Sequence, residues 1–229
     1  QYTTGMLFEL AVLDGKSTLK ITGKVESRSY VDMTIKVLKD FGADITETEK
    51  NNFEINGKGR LNPGEFTVEG DWSNAAFLLA LSRLTGKIDV SGLNENSEQG
   101  DKICVEAFEK LDGENAEIDL ENCPDLAPIL FAYAAYKNGG KFINTRRLKV
   151  KESDRASVMA EELKKFGAVV KVYENSVEIE KTMLKPPIMP LCGHNDHRVV
   201  MAISVLSAVF GAEIDGAEAV NKSYPKFFD

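Results

Sequence analysis

Hydrophobic positions along the chain fall into two alternating kinds of stretch, one nearly continuous and one striped. The continuous ones are WSNAAFLLALSRLTG after Asp71, LAPILFAYAAYKNGG after Asp125 and HRVVMAISVLSAVFG after Asp196. Each is apolar on almost every side and ends on glycine, which predicts helices buried within their domain and stopped by a glycine cap. The residues up to Gly15 read as a fourth copy. Pro128 falls in the first turn of its helix, where a missing N–H is tolerated. The striped stretches are VDMTIKVLKDFGADI from Val31 and ASVMAEELKKFGAVV from Ala156, with a weaker copy from Asp101. In the second, Ala156, Met159, Leu163 and Phe166 recur at three- and four-residue steps and make one apolar face. Ser153 or Asp154 can cap that helix and Gly167 can end it.

Strands are expected after the continuous helices, over 19–22, 87–91, 141–144 and 213–215, and after the striped ones, ending in 52–55 and 175–179. The repeating unit is therefore buried helix, strand, polar loop, amphipathic helix, strand, strand. Such units around a shared core predict an α/β architecture, with the usual layering reversed so that sheets lie outside the helices. The stretch PGEFTVEGD, from Pro63, is expected to carry a strand between turn-formers and to mark a domain boundary.

Composition narrows the class. The 229 residues are 43% hydrophobic and 28% charged, a globular balance that allows one large or two modest domains. A net charge of -8 argues against nucleic-acid binding. No run approaches a membrane span and no secretory leader is evident. Cys104, Cys123 and Cys192 are widely separated and odd in number, which fits free thiols in a cytoplasmic protein. Gln1 is not an initiator methionine and an apolar segment follows at once, so the chain reads as a piece of a longer protein.

Equivalent points of the repeat should face the same way. They hold Ser27, Arg28 and Tyr30; Asn96, Ser97 and Gln99; Arg146, Arg147, Lys149, Lys151, Glu152 and Arg155; and Asn221, Lys222 and Ser223. Arg198 sits just inside a buried helix. Cations gathered at helix N-termini on an acidic protein suggest anion recognition. The bland alternative is a set of surface ion pairs. Asp71 and Asp196 read as N-caps, whereas Asp125 combines capping with chemistry. The segment CGHNDHR invites a zinc reading through Cys192, His194 and His197, but no further Cys or His lies nearby, and no metal is expected. Phosphate-loop, dinucleotide and activated-nucleophile signatures are lacking.

VKESDR (150–155) and HNDHR (194–198), with VEGD before Trp72, PDLA at Pro124 and NKSYPKFF near the end, resemble the 5-enolpyruvylshikimate-3-phosphate synthases. The resemblance runs through the whole chain and matches their C-terminal half or slightly more. It implies repeated βαβαββ units in a truncated inside-out α/β barrel. Residues 1–69 would complete the N-terminal domain, which binds shikimate phosphate, and 70–229 would be most of the C-terminal domain. It further implies transfer of the enolpyruvyl group of phosphoenolpyruvate to the 5-hydroxyl of shikimate 3-phosphate, in aromatic amino-acid and chorismate biosynthesis, with no cofactor.

Carried over by residue, Gln1, Arg155, Arg198 and Lys222 would contact phosphoenolpyruvate, and Ser27, Tyr30, Asp125 and Lys151 shikimate 3-phosphate. Asp125, Glu152, Lys151 and His197 would be catalytic. Arg147 stands where some members carry an asparagine and is left out. The implied partners are the two substrates and the missing N-terminal half of the same chain, with a monomer expected at full length and little activity from this piece alone. The rivals are UDP-N-acetylglucosamine enolpyruvyl transfer on the same fold and a non-catalytic anion-binding module.

Overall fold

The computed structural model describes residues 1–86 and 88–229, which form two compact units, residues 1–69 with 96–100 and residues 70–95 with 101–229. In the first unit α1 (Tyr2–Val12) leads to β1 (Gly15–Lys20), α2 (Arg28–Asp40), β2 (Asp44–Glu49) and β3 (Asn52–Gly57). The strands form an antiparallel sheet in the order β1-β3-β2, with Phe53 opposite Leu19 and Glu47. Alternation along β3 turns Phe53 and Ile55 inward, where they meet Leu7, Ala11, Val31, Leu38 and Ile45. The helix–strand–helix–strand–strand order of the repeat is complete here.

The second unit runs α3 (Trp72–Thr85), α4 (Cys104–Asp112), β4 (Glu117–Asp119), α5 (Ala127–Tyr136), β5 (Gly140–Ile143), α6 (Arg155–Lys165), β6 (Val170–Val172), β7 (Ser176–Ile179), β8 (Leu191–Cys192), α7 (His197–Phe210) and β9 (Ile214–Asp215). Helices α3, α5 and α7 pack against one another at its centre. Residues 127–135 of α5 are all buried, as its unbroken apolar sequence requires. One sheet has the order β4-β5-β7-β6, with β4 parallel to β5 and the other pairs antiparallel. Phe142 of β5 meets Phe131 of α5 edge-on at 4.7 Å between ring centroids, so the sheet lies over the central helices. A short parallel pair, β8 with β9, completes the described strands.

Several expectations are corrected. Residues 88–91 form no strand, and Lys87 lies outside the described residues. The Ile88 carbonyl accepts from Ser82 Oγ at 2.5 Å instead of from a neighbouring strand, and without a partner edge a strand-like sequence has no ladder to join. Residues 61–70 are likewise irregular. Their attachment includes Asn62 N donating to Phe41 O at 2.8 Å, and Pro63 then removes a donor. Strand β1 starts at Gly15, four residues earlier than its apolar content suggested, because it pairs along all of β3. Helix α1 is not enclosed. Leu7 and Ala11 are buried while Met6, Phe8, Val12 and Leu13 stay exposed, since a three-stranded sheet and α2 cover one side only. No helix among the described residues is long and apolar enough to cross a membrane.

Caps set where the buried helices begin. Asp71 accepts from Ser73 N at 2.8 Å and Asn74 N at 3.3 Å, and Asp196 from Arg198 N at 3.0 Å. At α6 it is Asp154, not Ser153, that caps, accepting from Ser157 N at 3.2 Å. Asp125 departs from the pattern. It lies in a 3-10 turn, Pro124–Leu126, ahead of α5, whose N-cap is Leu126.

Gly139, at φ +73, brings the chain from α5 into β5, and a Cβ there would stand 2.3 Å from Ile179 O and 2.8 Å from Lys181 N. Left-handed backbone and a collision with main chain act together, so Gly139→Ala should cost roughly 2–4 kcal/mol. Urea unfolding compared with the conservative control Gly113→Ala checks this; a loss below about 1 kcal/mol would mean that the β5–β7 edge can move aside.

Candidate active site

The striped helix α6 starts at Arg155, directly after the charged loop 151–154. Its cap fixes the first turn, and that turn drives the Arg155 side chain inward, where only 1% of it is exposed. Burial of a guanidinium demands partners, and carboxylates from three places supply them. Nε donates to Asp196 Oδ2 at 2.9 Å, Nη1 to Asp125 Oδ1 at 2.7 Å and Nη2 to Glu152 Oε2 at 2.5 Å. Asp125 comes from the turn before α5, Glu152 from the loop before α6, and Asp196 from the cap of α7. Ser153 Oγ also donates to Asp196 Oδ2, at 2.9 Å.

More cations surround Asp125. Lys151 Nζ lies 3.1 Å from Asp125 Oδ1, and Arg198 Nη2 lies 3.6 Å from Oδ2. Arg198 projects from the first turn of α7 and is steadied by Ser73 Oγ of α3, a hydrogen-bond acceptor for Nη1. Lys222 ends the 3-10 turn Ala217–Lys222 and donates to the Asn195 carbonyl at 3.0 Å, beside the cap of α7. Lys151, Glu152 and Lys222 retain contact with solvent, whereas Asp196 is wholly buried.

Electrostatics separates the acids. Burial pushes the Asp125 carboxyl up, but the charges of Arg198, Lys151 and Arg155 outweigh it and hold it at about 2. Burial opposes ionisation of Asp196 as well, and the Arg155 hydrogen bonds bring it below the usual carboxylate range. Asp101 goes the other way. It lies in the 3-10 turn before α4, is buried, and that burial lifts it to about 6 despite the nearby Arg198 charge and a hydrogen bond with Ser73. Burial, then the charge of Arg198, lowers His197 and keeps it neutral; its buried Nδ1 has no hydrogen-bond partner among the described residues.

The loops therefore converge for one part of the expected set. Asp125, Lys151, Glu152, Arg155 and Arg198 share a single network, with His197 beside Arg198 in α7 and Lys222 tied to the adjoining loop. Gln1, Ser27 and Tyr30 belong to the first unit. Gln1 is the N-cap of α1; Ser27, at φ +52, precedes α2; and Tyr30 lies in its first turn. Arg146 took the bland course and pairs with Glu174 on the surface. Asp125, expected to cap as well as react, is committed to the cations alone. Ser73 and Asp101 were missed, because a serine in an apolar helix and an acid in a polar loop carry no distinguishing pattern.

Comparison with known proteins identifies the family and the fold. The family model for EPSP synthase (3-phosphoshikimate 1-carboxyvinyltransferase) matches residues 1–115 and 108–229. The chain belongs to the EPSP synthase family. A curated 3-phosphoshikimate 1-carboxyvinyltransferase of Clostridium acetobutylicum is 40% identical over all of this chain and 57% of its own length. One from Brachyspira hyodysenteriae is 36% identical, with 59% of its length covered. The chain thus spans a little over half the length of these relatives. In fold it is similar to EPSP synthase from Acinetobacter baumannii, with a TM-score of 0.77 over 97% of this chain and 57% of that one, at 24% identity. An enolpyruvyl transferase from Streptomyces tendae aligns with a TM-score of 0.63 over 97% of this chain and 56% of the other, at 16% identity.

The family assignment leaves the CGHNDHR motif to be explained. Among the described residues the group close enough to hold a metal is Glu161, Glu162 and His194, not the Cys192, His194 and His197 of the motif. Lys165 Nζ already occupies both Glu162 oxygens, at 3.0 and 2.9 Å, so an ammonium stands where a metal would have to bind.

Two stability measurements test the electrostatics. Arg155→Leu strands the buried Asp196 carboxylate and should cost roughly 3–5 kcal/mol at pH 7 in urea unfolding, a cost that a merely superficial ion pair would not produce. Asp101 behaves oppositely. Its folded value of about 6 exceeds its ordinary 3.8, so its contribution is full below about pH 4 and is lost as pH rises through 6. Asp101→Asn should therefore gain on the unaltered chain by roughly 2 kcal/mol between pH 4 and pH 7. A difference independent of pH would show that Asp101 is not held neutral by burial.

Proposed function

We propose that the chain carries the C-terminal part of a 3-phosphoshikimate 1-carboxyvinyltransferase, which moves the enolpyruvyl group of phosphoenolpyruvate to the 5-hydroxyl of shikimate 3-phosphate. The observation that carries the reading is Asp125, an ionised acid held among Lys151, Arg155 and Arg198 with Glu152 beside it. An anion binder alone gains nothing from carboxylates among its cations, whereas addition followed by elimination needs both. The names of the relatives support shikimate 3-phosphate as the acceptor over UDP-N-acetylglucosamine; likeness of fold by itself selects no acceptor.

In the proposed chemistry Glu152 enters in its protonated form and gives that proton to the methylene carbon of phosphoenolpyruvate. The 5-oxygen bonds to the adjacent carbon and its proton passes to Asp125. In the elimination that follows, a proton leaves the new methyl group for Glu152, the carbon–oxygen bond to phosphate breaks, and phosphate departs with the electron pair and takes up the proton held by Asp125. Arg198, Lys222 and Arg155 hold the phosphoenolpyruvate anion and stabilise the leaving charge, with Lys151 between the two substrates. A carboxylate at about 2 is a feeble base. Two bound anions offset the cations around it and raise its basicity when the hydroxyl arrives. His197, neutral and buried, orients the proton path beside Glu152.

Residues 1–69 would be the end of the shikimate-phosphate-binding domain, with Ser27 and Tyr30 on shikimate 3-phosphate and Gln1 on phosphoenolpyruvate. The remaining segment of the enzyme would complete the site. A full-length monomer in the cytoplasm suits the free thiols Cys104, Cys123 and Cys192.

Glu152→Gln tests the reading in this chain complemented by the remaining segment of a relative. Turnover should fall at least about 100-fold while both substrates bind within about threefold of the unaltered protein. Undiminished turnover would remove Glu152 from the chemistry, and binding of UDP-N-acetylglucosamine in place of shikimate 3-phosphate would change the acceptor.

A further inference from the structure

Outside the ion network, the second unit contains another buried charge that the chemistry does not use. Glu162 lies seven residues, or about two turns, after Arg155 on α6, so both face the same way. Its side chain is fully buried. Oε2 accepts from Cys192 N at 2.9 Å, and Oε1 meets His194 Nε2 at 2.9 Å. Lys165 Nζ bonds both oxygens and also donates to the Pro190 carbonyl at 3.0 Å. Lys165 lies on α6 beside Glu162, and the other contacts fall on residues 190–194, the segment that carries β8 toward α7.

That segment is held in an uncommon shape. His194 and Asn195 have φ values of +49 and +53, two consecutive left-handed residues neither of which is glycine. His194 N donates to Cys192 Sγ at 3.4 Å, and Gly193 N to Asp215 O at 2.8 Å. At position 193 a side chain would stand 2.5 Å from Val200 Cγ2, so the main chain passes close against α7. The same short loop delivers Asp196 to Arg155 and offers the Asn195 carbonyl to Lys222. Arg198 follows within one turn of α7.

We propose that Glu162 and His194 form a latch that positions the anion-binding groups. Helix α6 grips the 190–196 segment at two points, with Arg155 on Asp196 and Glu162 on Cys192 and His194. The second grip holds the left-handed loop closed and thereby places Asp196, Arg198 and Lys222 against Arg155. Both are positioning residues, since neither belongs to the Asp125 network. The proposal rests on the reading of that network as an anion site.

The test uses the chain as it stands, with inorganic phosphate as probe and Glu162→Gln and His194→Asn as variants. Asparagine tolerates the left-handed conformation but is too short to serve as the imidazole does. Amide hydrogen exchange over residues 193–198 should quicken in both variants while α5 stays protected. Phosphate affinity should fall roughly tenfold in each, and the double variant should fall no further than the weaker single one, the signature of one shared contact. Unchanged protection at 193–198 overturns the latch whatever the ligand does. Lost protection with unaltered phosphate affinity, where Arg198→Ala abolishes binding, overturns its role in the site. If Arg198→Ala leaves phosphate binding intact, the anion-site reading itself fails, and the exchange data still decide whether the latch exists.

Discussion

The second unit depends on one buried guanidinium. Arg155 stands at the start of α6 with its charge out of water, and such a group is tolerable only when its donors meet acceptors and its charge meets opposite charge. The three carboxylates that do so arrive from separate stretches of the chain, Asp125 before α5, Glu152 before α6 and Asp196 before α7. Each lies just ahead of a helix, so satisfying Arg155 brings three helix beginnings to one place. This pairing adds little net stability over a hydrophobic equivalent. What it adds is a fixed relation among three segments, which an apolar contact would leave free to slide.

The repeat makes that convergence possible and was the part most legible in the sequence. Unbroken apolar runs identified α3, α5 and α7 because a helix enclosed on all sides has no polar face to preserve. Glycines ending α3 and α7 and aspartates at Asp71 and Asp196 marked their limits by local chemistry, whereas α5 stops at a Lys137 cap, ahead of the glycine pair expected to end it. Helix α1 shares that apolar character, and among the described residues Leu7 and Ala11 are buried while Met6, Phe8, Val12 and Leu13 stay exposed. Strands were less legible because a strand exists only with a partner: 88–91 has the composition but pairs with no strand among the described residues, while β1 extends over Lys16 and Ser17 because β3 runs beside them.

The site divides in a similar way. Dense charge before α6 drew attention to Lys151, Glu152 and Arg155, the repeat added Asp125, Arg198 and Lys222, and the resemblance of the surrounding motifs supplied their roles. Glu162 was invisible, since in AEELKK it looks like one more acid on a solvated helix face, yet it is fully buried. Its neighbour Glu161 is exposed. One position of helical rotation, about 100°, separates the two environments, and only the three-dimensional path of residues 190–194 decides which acid is enclosed. Asp101 escaped notice for the related reason that burial, not residue type, makes it unusual.

The arrangement also constrains how any anion is held. Arg155 meets three carboxylates, which offset much of its charge before a ligand comes, while Lys222 and Arg198 have donors left to redirect. A phosphate or carboxylate entering here competes with Asp125 for Lys151 and Arg198, a few ångströms away, where unit charges interact by several kcal/mol even at an effective dielectric near 20. Every increment of cation that the ligand draws off weakens the field that depresses Asp125. Affinity for an anion and basicity of that carboxylate are thus two readings of one electrostatic balance. A site built from cations alone would bind more tightly and leave no acid whose proton affinity answers to occupancy.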